Sequence, residues 1–432
     1  MSSPTDGLAL EIEGWLAERV AELDLDARSG PGAPRILPAL LLWTGLVVCV
    51  LRGLGSQAAL WRLLSRRGLW SFPRIPITDD AVRVRLARDG TAPMERLFAQ
   101  VTTLLAERIA PLVETTLAAF ASDILVLDEI TLDKVARLLP ALRALPAGDP
   151  GLLAGTLAAL FDVRRQQWRR IVYREDTLQN EKVAARSLLD GLAAGTLLLC
   201  DLGYFGFQWF DDLTDAGCFW LSRLRSRTSY ELITTLYAQG DTLDAIIWLV
   251  RHRADRAKHA VRLIQFSVNG RLYRYITNVL DPAQLSMREA AHLYARRWDI
   301  EMAISILKTE LGLHLVWAAK PVLIQQQIWA VLIIHQIFAA FRMEIAGRAE
   351  VDLFDVSLPL LIEYFPHYAR AGTDPIELFV ECGRELGFIR PSSRHETQAP
   401  VIGLSEYHPP PPDLVLKRTP RYAQRKCQRK AS

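Results

Sequence analysis

Apolar positions along this chain recur at helical spacing near both ends and give way in the middle to short, dense runs of strand formers. Residues 8–25 predict an amphipathic helix, closed by Ser29-Gly30-Pro31-Gly32. Helical apolar runs follow at 36–52 and 57–65, and a connection over 68–77 leads to Thr78. Thr78 is a suitable N-cap for a helix over 79–89 carrying Arg83, Arg85 and Arg88. Residues 95–121 are again helical by pattern.

The pattern then changes. Residues 123–132 read as a strand interrupted by Asp128. Residues 156–163 and 168–174 read as a hairpin, 180–192 as a helix, and 196–201 as a strand ending in Asp201. A glycine-bearing exit at 203–206, a helix at 208–216 and a strand at 218–224 complete the series. This order predicts an α/β chain with a ribonuclease H-like catalytic core, a mixed five-strand sheet flanked by helices. In such a sheet the first and fourth strands are neighbours, so Asp128 and Asp201 are expected side by side. Residues 226–285 are expected to form an inserted β-rich subdomain, because Asn269-Gly270 between alternating runs is a strong hairpin signal.

The core resumes with a helix over 294–308. Tyr294, Arg297, Glu301 and Lys308 are spaced by three, four and seven residues. At about 100° per residue they form one narrow stripe. Ile300, Ala303, Ile304, Ile306, Leu307 and Leu311 lie mainly off it and are expected to face a core. An exposed helix also carries Arg and Glu at this spacing, but that leaves the tyrosine and lysine in register unexplained.

These elements divide the chain as follows. Residues 1–120 form a helical N-terminal region whose short helix pair resembles a helix-turn-helix. Residues 121–225 and 286–345 are the two parts of the core, interrupted by 226–285. Residues 346–387 are a helical C-terminal region, suited to dimerisation. Residues 388–432, with four prolines at 409–412 and seven basic residues over 417–430, are expected to be disordered.

Composition changes this picture little. Half of the 432 residues are hydrophobic, and the net charge is +3. Basic residues nevertheless cluster at 62–67, 83–88, 164–174, 223–227, 251–262 and 417–430, as suits a polyanionic partner. The five cysteines lack zinc or disulfide spacing, which fits a reducing cytoplasm. Residues 36–51 are uncharged but shorter than the about 20 residues a spanning helix needs. Residues 321–341 are long enough but contain Gln325, Gln326, Gln327, His335 and Gln336. Both are expected to be buried helices, with no membrane partner.

Three carboxylates, Asp128, Asp201 and Glu301, are the candidate site. Their hard oxygen donors suit Mg²⁺ or Mn²⁺ rather than zinc. The Tyr294, Arg297, Glu301, Lys308 pattern resembles the signature of DDE transposases of bacterial insertion sequences, the insertion-sequence-four family. Residues 201–205 resemble the family's second-aspartate motif, and residues 296–301 its motif around the glutamate. Glu129-Ile130-Thr131 departs from the usual residues after the first aspartate, so Asp123 and Asp133 are weighed beside Asp128, which is kept. The resemblance implies an enzyme that cuts DNA at element ends and joins the freed 3′-hydroxyl to target DNA. It implies Asp128, Asp201 and Glu301 as catalytic residues and as ligands of two Mg²⁺ ions, for which Mn²⁺ substitutes. Tyr294, Arg297 and Lys308 would grip DNA phosphates, Trp298 or Trp248 would stack a displaced base, and Arg223 and Arg225 would track the backbone. Expected partners are double-stranded DNA, as terminal inverted repeats and as target, and a second copy of the chain. The expected location is the bacterial cytoplasm, at the nucleoid when DNA is bound. Two other readings remain: a ribonuclease H-like nuclease without strand transfer, and an inactive derivative that binds DNA.

Overall fold

In a computed structural model, the structure describes residues 8–25, 37–69, 73–133, 153–176, 181–251, 255–392 and 397–422. The N-terminal helices are α1 (Ile12–Ala21), α2 (Ala39–Leu51), α3 (Gln57–Arg62), α4 (Asp79–Asp89) and α5 (Ala92–Ile109). Strands β1 (Ile124–Asp133), β2 (Leu153–Asp162) and β3 (Gln167–Arg174) follow, then α6 (Glu181–Leu189), β4 (Leu197–Cys200), α7 (Phe207–Asp215) and β5 (Phe219–Arg223). Next come β6 (Ser229–Gln239), β7 (Thr242–Arg251), β8 (Asp255–Arg256), β9 (Val261–Val268) and β10 (Arg271–Thr277). The chain continues through α8 (Met287–Arg296), α9 (Trp298–Thr309), α10 (Pro321–Arg348), α11 (Leu358–Arg370) and α12 (Pro375–Cys382).

One mixed sheet runs β3-β2-β1-β4-β5-β10-β9-β7-β6, with β8 paired to β7. β1 pairs antiparallel with β2 and parallel with β4, and β4 pairs parallel with β5. The first and fourth strands are thus neighbours, as their order in sequence predicts. Residues 229–277 continue the same sheet, because β10 pairs antiparallel with β5. The Asn269-Gly270 turn closes the β9–β10 hairpin with positive φ at both residues, 51° and 74°. That is the backbone an Asn-Gly hairpin turn requires.

Alternation along β1 builds two cores. Ile124, Val126 and Ile130 face the larger one, which includes residues of α5, α8, α9 and α10. Leu125 and Leu127 face the smaller one, with Trp209, Phe210 and Leu213 of α7.

Helix α10 is long and apolar enough to cross a membrane, but 89% of its most apolar window is buried in protein. Its glutamines account for this placement. Gln326 donates to the Leu86 and Gly90 carbonyls, Gln327 to the Leu315 carbonyl, and Gln336 to Thr102 and the Trp168 carbonyl. Each is a polar link between the central helix and a different neighbour.

Several expectations are corrected. Asp128 does not interrupt a strand: β1 runs through it to Asp133, paired with β2 throughout. The helix expected over 294–308 is two helices that meet at Arg297, whose N–H bonds to the Tyr294 carbonyl in a tighter turn. The basic helix α4 is partly turned inward. Arg85 is buried, donating to the Leu37 carbonyl and pairing with Asp89, while Arg83 and Arg88 stand beside Asp80 and Asp89. The tail is not all loose. Residues 407–422 lie along the β6–β9 region, with Ala260 N–H donating to Leu416 O, Arg418 N–H to Lys258 O, and Arg256 and Arg421 bridged in both directions. Residues 423–432 lie outside the described residues.

Candidate active site

Asp128 and Asp201 come together through strand register. Val126 of β1 is opposite Leu199 of β4. The same offset, carried past the end of the short β4, sets Asp128 opposite Asp201. Beyond Cys200 the chain turns away: the Asp201 carboxylate accepts the Gly203 N–H at 3.2 Å and caps a short 3-10 turn over Leu202–Tyr204. Asp128 accepts the Glu129 N–H at 2.8 Å. Helix α9 packs beside β1 and brings Glu301 over the two aspartates.

Arg297 binds this group. Its guanidinium lies 2.7 Å from Glu301 Oε1 and 3.6 Å from Asp201 Oδ1. It also lies over the rings of Tyr294 and Trp298, at 5.9 and 5.3 Å. Its Nε is buried without a hydrogen-bond partner among the described residues. Burial pushes the Asp128 pKa up from 3.8 to about 6; the Glu129 N–H and Arg297 oppose this, and the charges of Glu301 and Asp201 add to it. These interactions place all three carboxylates in one electrostatic group.

The carboxylates suit a hard divalent cation by chemistry. In this structure they are not gathered as a metal site: among the described residues, no group of three His, Cys, Asp or Glu side chains is placed to hold an ion. The guanidinium of Arg297 stands among them instead.

The other expected residues divide by exposure. Tyr294 is buried, its hydroxyl reaching the Cys200 carbonyl at 3.5 Å, and burial pushes its pKa up to about 12. It therefore packs beneath the site, with Arg223 over its ring at 5.1 Å. Trp298 is 54% exposed, with one face under Arg297. Lys308 is half-buried at the far end of α9. Arg225 is exposed, covers Phe205 at 5.2 Å and donates to the Leu202 carbonyl. β5 ends at Arg223, so Arg225 lies beyond the strand rather than on one strand face with Arg223. Of the rival aspartates, Asp123 pairs with Arg165, and Asp133 lies at the far end of β1.

Many basic residues serve the fold. Arg164 donates to the carbonyls of Leu117, Ala118 and Ala121. Arg262, fully buried, holds Asp244 with two hydrogen bonds of 2.7 and 2.6 Å. Lys258 pairs with Asp215, and Arg256 donates to the Thr419 carbonyl. Arg253 lies outside the described residues. Trp248, weighed for base stacking, carries Arg418 of the tail over its ring at 4.3 Å.

One group was not singled out by spacing. Arg296 donates to Asp299 at 2.7 Å and to the Val163 carbonyl at 3.0 Å, and Gln166 donates to Asp299 at 2.9 Å. This buried network anchors the α8–α9 junction to the β2–β3 turn and so fixes where Arg297 and Glu301 stand. Its sequence signal was the Arg-Asp pair at i,i+3 across Trp298.

With this geometry in view, similarity to known proteins is informative. Residues 157–337 match the family described as a transposase DDE domain. That span contains Asp201, Tyr294, Arg297, Glu301 and Lys308, and begins after Asp128. The chain is also similar to a solved piggyBac transposase synaptic complex with hairpin DNA, at 9% identity and a TM-score of 0.42, covering 90% of this chain and 84% of that one. That likeness adds nothing to the strand order described above. Over 173 residues the chain is 27% identical to the transposase InsG for insertion sequence element IS4 of Escherichia coli strain K12. That match covers 37% of this chain and 38% of the relative's length. These similarities place a transposase DDE domain match over residues 157–337 and a partial likeness to one insertion-element transposase on this chain.

Proposed function

We propose that this chain is an insertion-sequence transposase that cleaves DNA at the ends of its element and joins the freed 3′-hydroxyls to target DNA. The observation that carries the reading is the meeting of Asp128, Asp201 and Glu301, from two parallel neighbouring strands and a later helix, around one arginine. The strand order β3-β2-β1-β4-β5 with this pairing supports a ribonuclease H-like core.

Asp128, Asp201 and Glu301 would hold two Mg²⁺ ions, or Mn²⁺ in their place, once Arg297 turns from the carboxylates. Bound there, the ions would activate an attacking hydroxyl and offset charge at a phosphodiester. The chain's own cations would then take the DNA. Arg297, whose Nε faces Asp201 at 3.6 Å without a hydrogen bond, would move from Glu301 to a phosphate, and Lys308, Arg223 and Arg225 would contact the backbone on either side. Tyr294 would support Arg297 and Arg223 from below through its ring. Trp298 would stack on a displaced base, a role its exposure next to Arg297 supports. A second copy of the chain would hold the second element end, in the cytoplasm of a bacterial host.

The test uses a labelled DNA fragment bearing the element's own end, with Mg²⁺. Wild type should nick the end and leave a 3′-hydroxyl that joins target DNA. Glu301→Ala should bind the fragment and not cut it. Cutting without joining would favour a nuclease. If wild type binds and fails to cut in both Mg²⁺ and Mn²⁺, the chain is a DNA-binding derivative and the proposal falls.

A further inference from the structure

The arginines of this chain are of two kinds. Arg164, Arg165, Arg174 and Arg262 direct their donors to carbonyls or carboxylates of the fold. Arg223, Arg225 and Arg271 lie instead over aromatic rings: Tyr294 at 5.1 Å, Phe205 at 5.2 Å and Tyr273 at 5.3 Å. Among the described residues none of these three has a carboxylate partner. A ring face holds a guanidinium in place yet leaves its in-plane N–H groups to donate elsewhere.

Two of the three connect the candidate active site to the β9–β10 hairpin. Arg223 ends β5 opposite Tyr275 of β10. Tyr273 and Arg271 share that face of β10 at two-residue steps. The rings run on without a gap. Tyr294 lies 5.1 Å from Tyr275, Tyr275 lies 6.5 Å from Tyr273, and Tyr273 stacks on Phe266 of β9 at 5.4 Å. β5 pairs with β10 only over Tyr275–Thr277, so among the described residues 271–273 have no strand on that side. Arg271 is exposed there.

The row is positive along its length. The cations that act on the Tyr275 hydroxyl are Arg223 and Arg271, and no carboxylate acts on it. The basic residues at 256–262, which spacing singled out, are engaged by the tail, by Asp215 and by Asp244. Arg271 is the arginine of the sheet extension that combines exposure with free donors and a fixed seat.

We propose that Arg271, held over Tyr273, binds a backbone phosphate of DNA that leaves the candidate active site along β10. Four residues of strand separate it from Tyr275, a span of about 13 Å. The phosphate therefore lies a few nucleotides from the one that Arg297 and Arg223 would take. Tyr273 is a positioning residue that acts through the arginine on its ring. This inference rests on the transposase reading and extends the DNA path from α9 onto the sheet extension.

The test measures binding of the full chain to a duplex bearing the element's own end, in KCl of increasing concentration and without a divalent cation. Arg271→Ala should weaken binding about fivefold or more and reduce the slope of log affinity against log salt by about one. Arg271→Lys keeps the charge and should keep the slope. Tyr273→Phe keeps the ring and should bind as wild type, whereas Tyr273→Leu should lose affinity several-fold. Arg384→Ala, at an exposed site in the C-terminal region, removes the same charge and should leave the slope unchanged. Single methylphosphonate substitutions then locate the contact: one position a few nucleotides from the cleavage site should weaken wild type and not Arg271→Ala. Equal slopes for wild type and Arg271→Ala would overturn the proposal, as would an equal fall in Arg384→Ala or the absence of any such phosphate position. Wild type that binds no element-end DNA would end the transposase reading itself, whereas wild type that binds, with Arg271→Ala unchanged, would end this inference alone.

Discussion

Asp128 is ionised in the folded chain only against its surroundings. Burial, chiefly, lifts its pKa from 3.8 to about 6, so the folded state binds its proton more tightly than the unfolded state. The cost of ionising it is therefore present in full above about pH 6 and disappears as the pH falls towards 3.8. Asp128→Asn removes a charge that opposes folding. It should raise the melting temperature at pH 8, by roughly 2 °C or more, and give no gain at pH 4, while abolishing DNA cleavage. A thermal melt at each pH checks this, and an equal gain at both would refute the assignment. The residues of this cluster were legible in sequence because strand order and helical spacing fix which side chains can meet. The burial of Tyr294 was not: helical spacing says which residues share a stripe, but not whether another element, here β10 with Tyr275, covers one end of it. Nor could sequence separate arginines that face solvent from those that satisfy carbonyls, such as Arg164, or a buried carboxylate, such as Arg262.

Among the elements, α10 shows how polar residues can specify a buried helix. Gln336 accepts the Trp168 N–H at 3.0 Å and donates to the Trp168 carbonyl at 3.0 Å, so one side chain satisfies both backbone groups of a residue in β3. Gln336→Ala would strand both groups in the core. It should destabilise the chain by about 2 kcal/mol, measured by chemical denaturation, and more than Gln327→Ala, whose partners are in the loop at 315–317. Adjacent glutamines, costly in lipid, argue for α10 inside protein, where 89% of its most apolar window is buried. Their partners lie as much as 240 residues away and depend on how the helices stack. The break at Arg297 was hidden for a related reason. Residues 294–308 contain no proline or glycine, and the bend goes with the network of Arg296, Asp299, Gln166 and the Val163 carbonyl.

At the scale of the whole molecule, the C-terminal segment ties itself to strands formed some 160 residues earlier. Its prolines and basic residues read as a disordered tail because, taken alone, it buries too little apolar surface to order itself. Folded, it finds a partner already made. Leu414 and Leu416 pack against Leu236, Ile246 and Ala260, and Tyr422 donates to Asp211 at 2.7 Å. Arg418 covers Trp248, donates to the carbonyls of Ala257 and Leu249, and pairs with Glu231. Ending the chain after Gly403 should therefore loosen the distant β7–β9 region while leaving the Asp128 and Glu301 elements folded. Hydrogen exchange should rise at Arg256 and Ala260, whose N–H groups donate to the tail, and Trp248 emission should shift to the red as its ring meets water. Arg418→Ala in the full chain should give the red shift with little change in exchange at Ala260, because it removes the cover over Trp248 and keeps the backbone pairing. If truncation leaves both exchange and emission unchanged, the tail is not docked in solution and its prolines and charges were the better guide. If exchange rises across β1 and β4 as well, the strap stabilises the whole sheet rather than its extension alone.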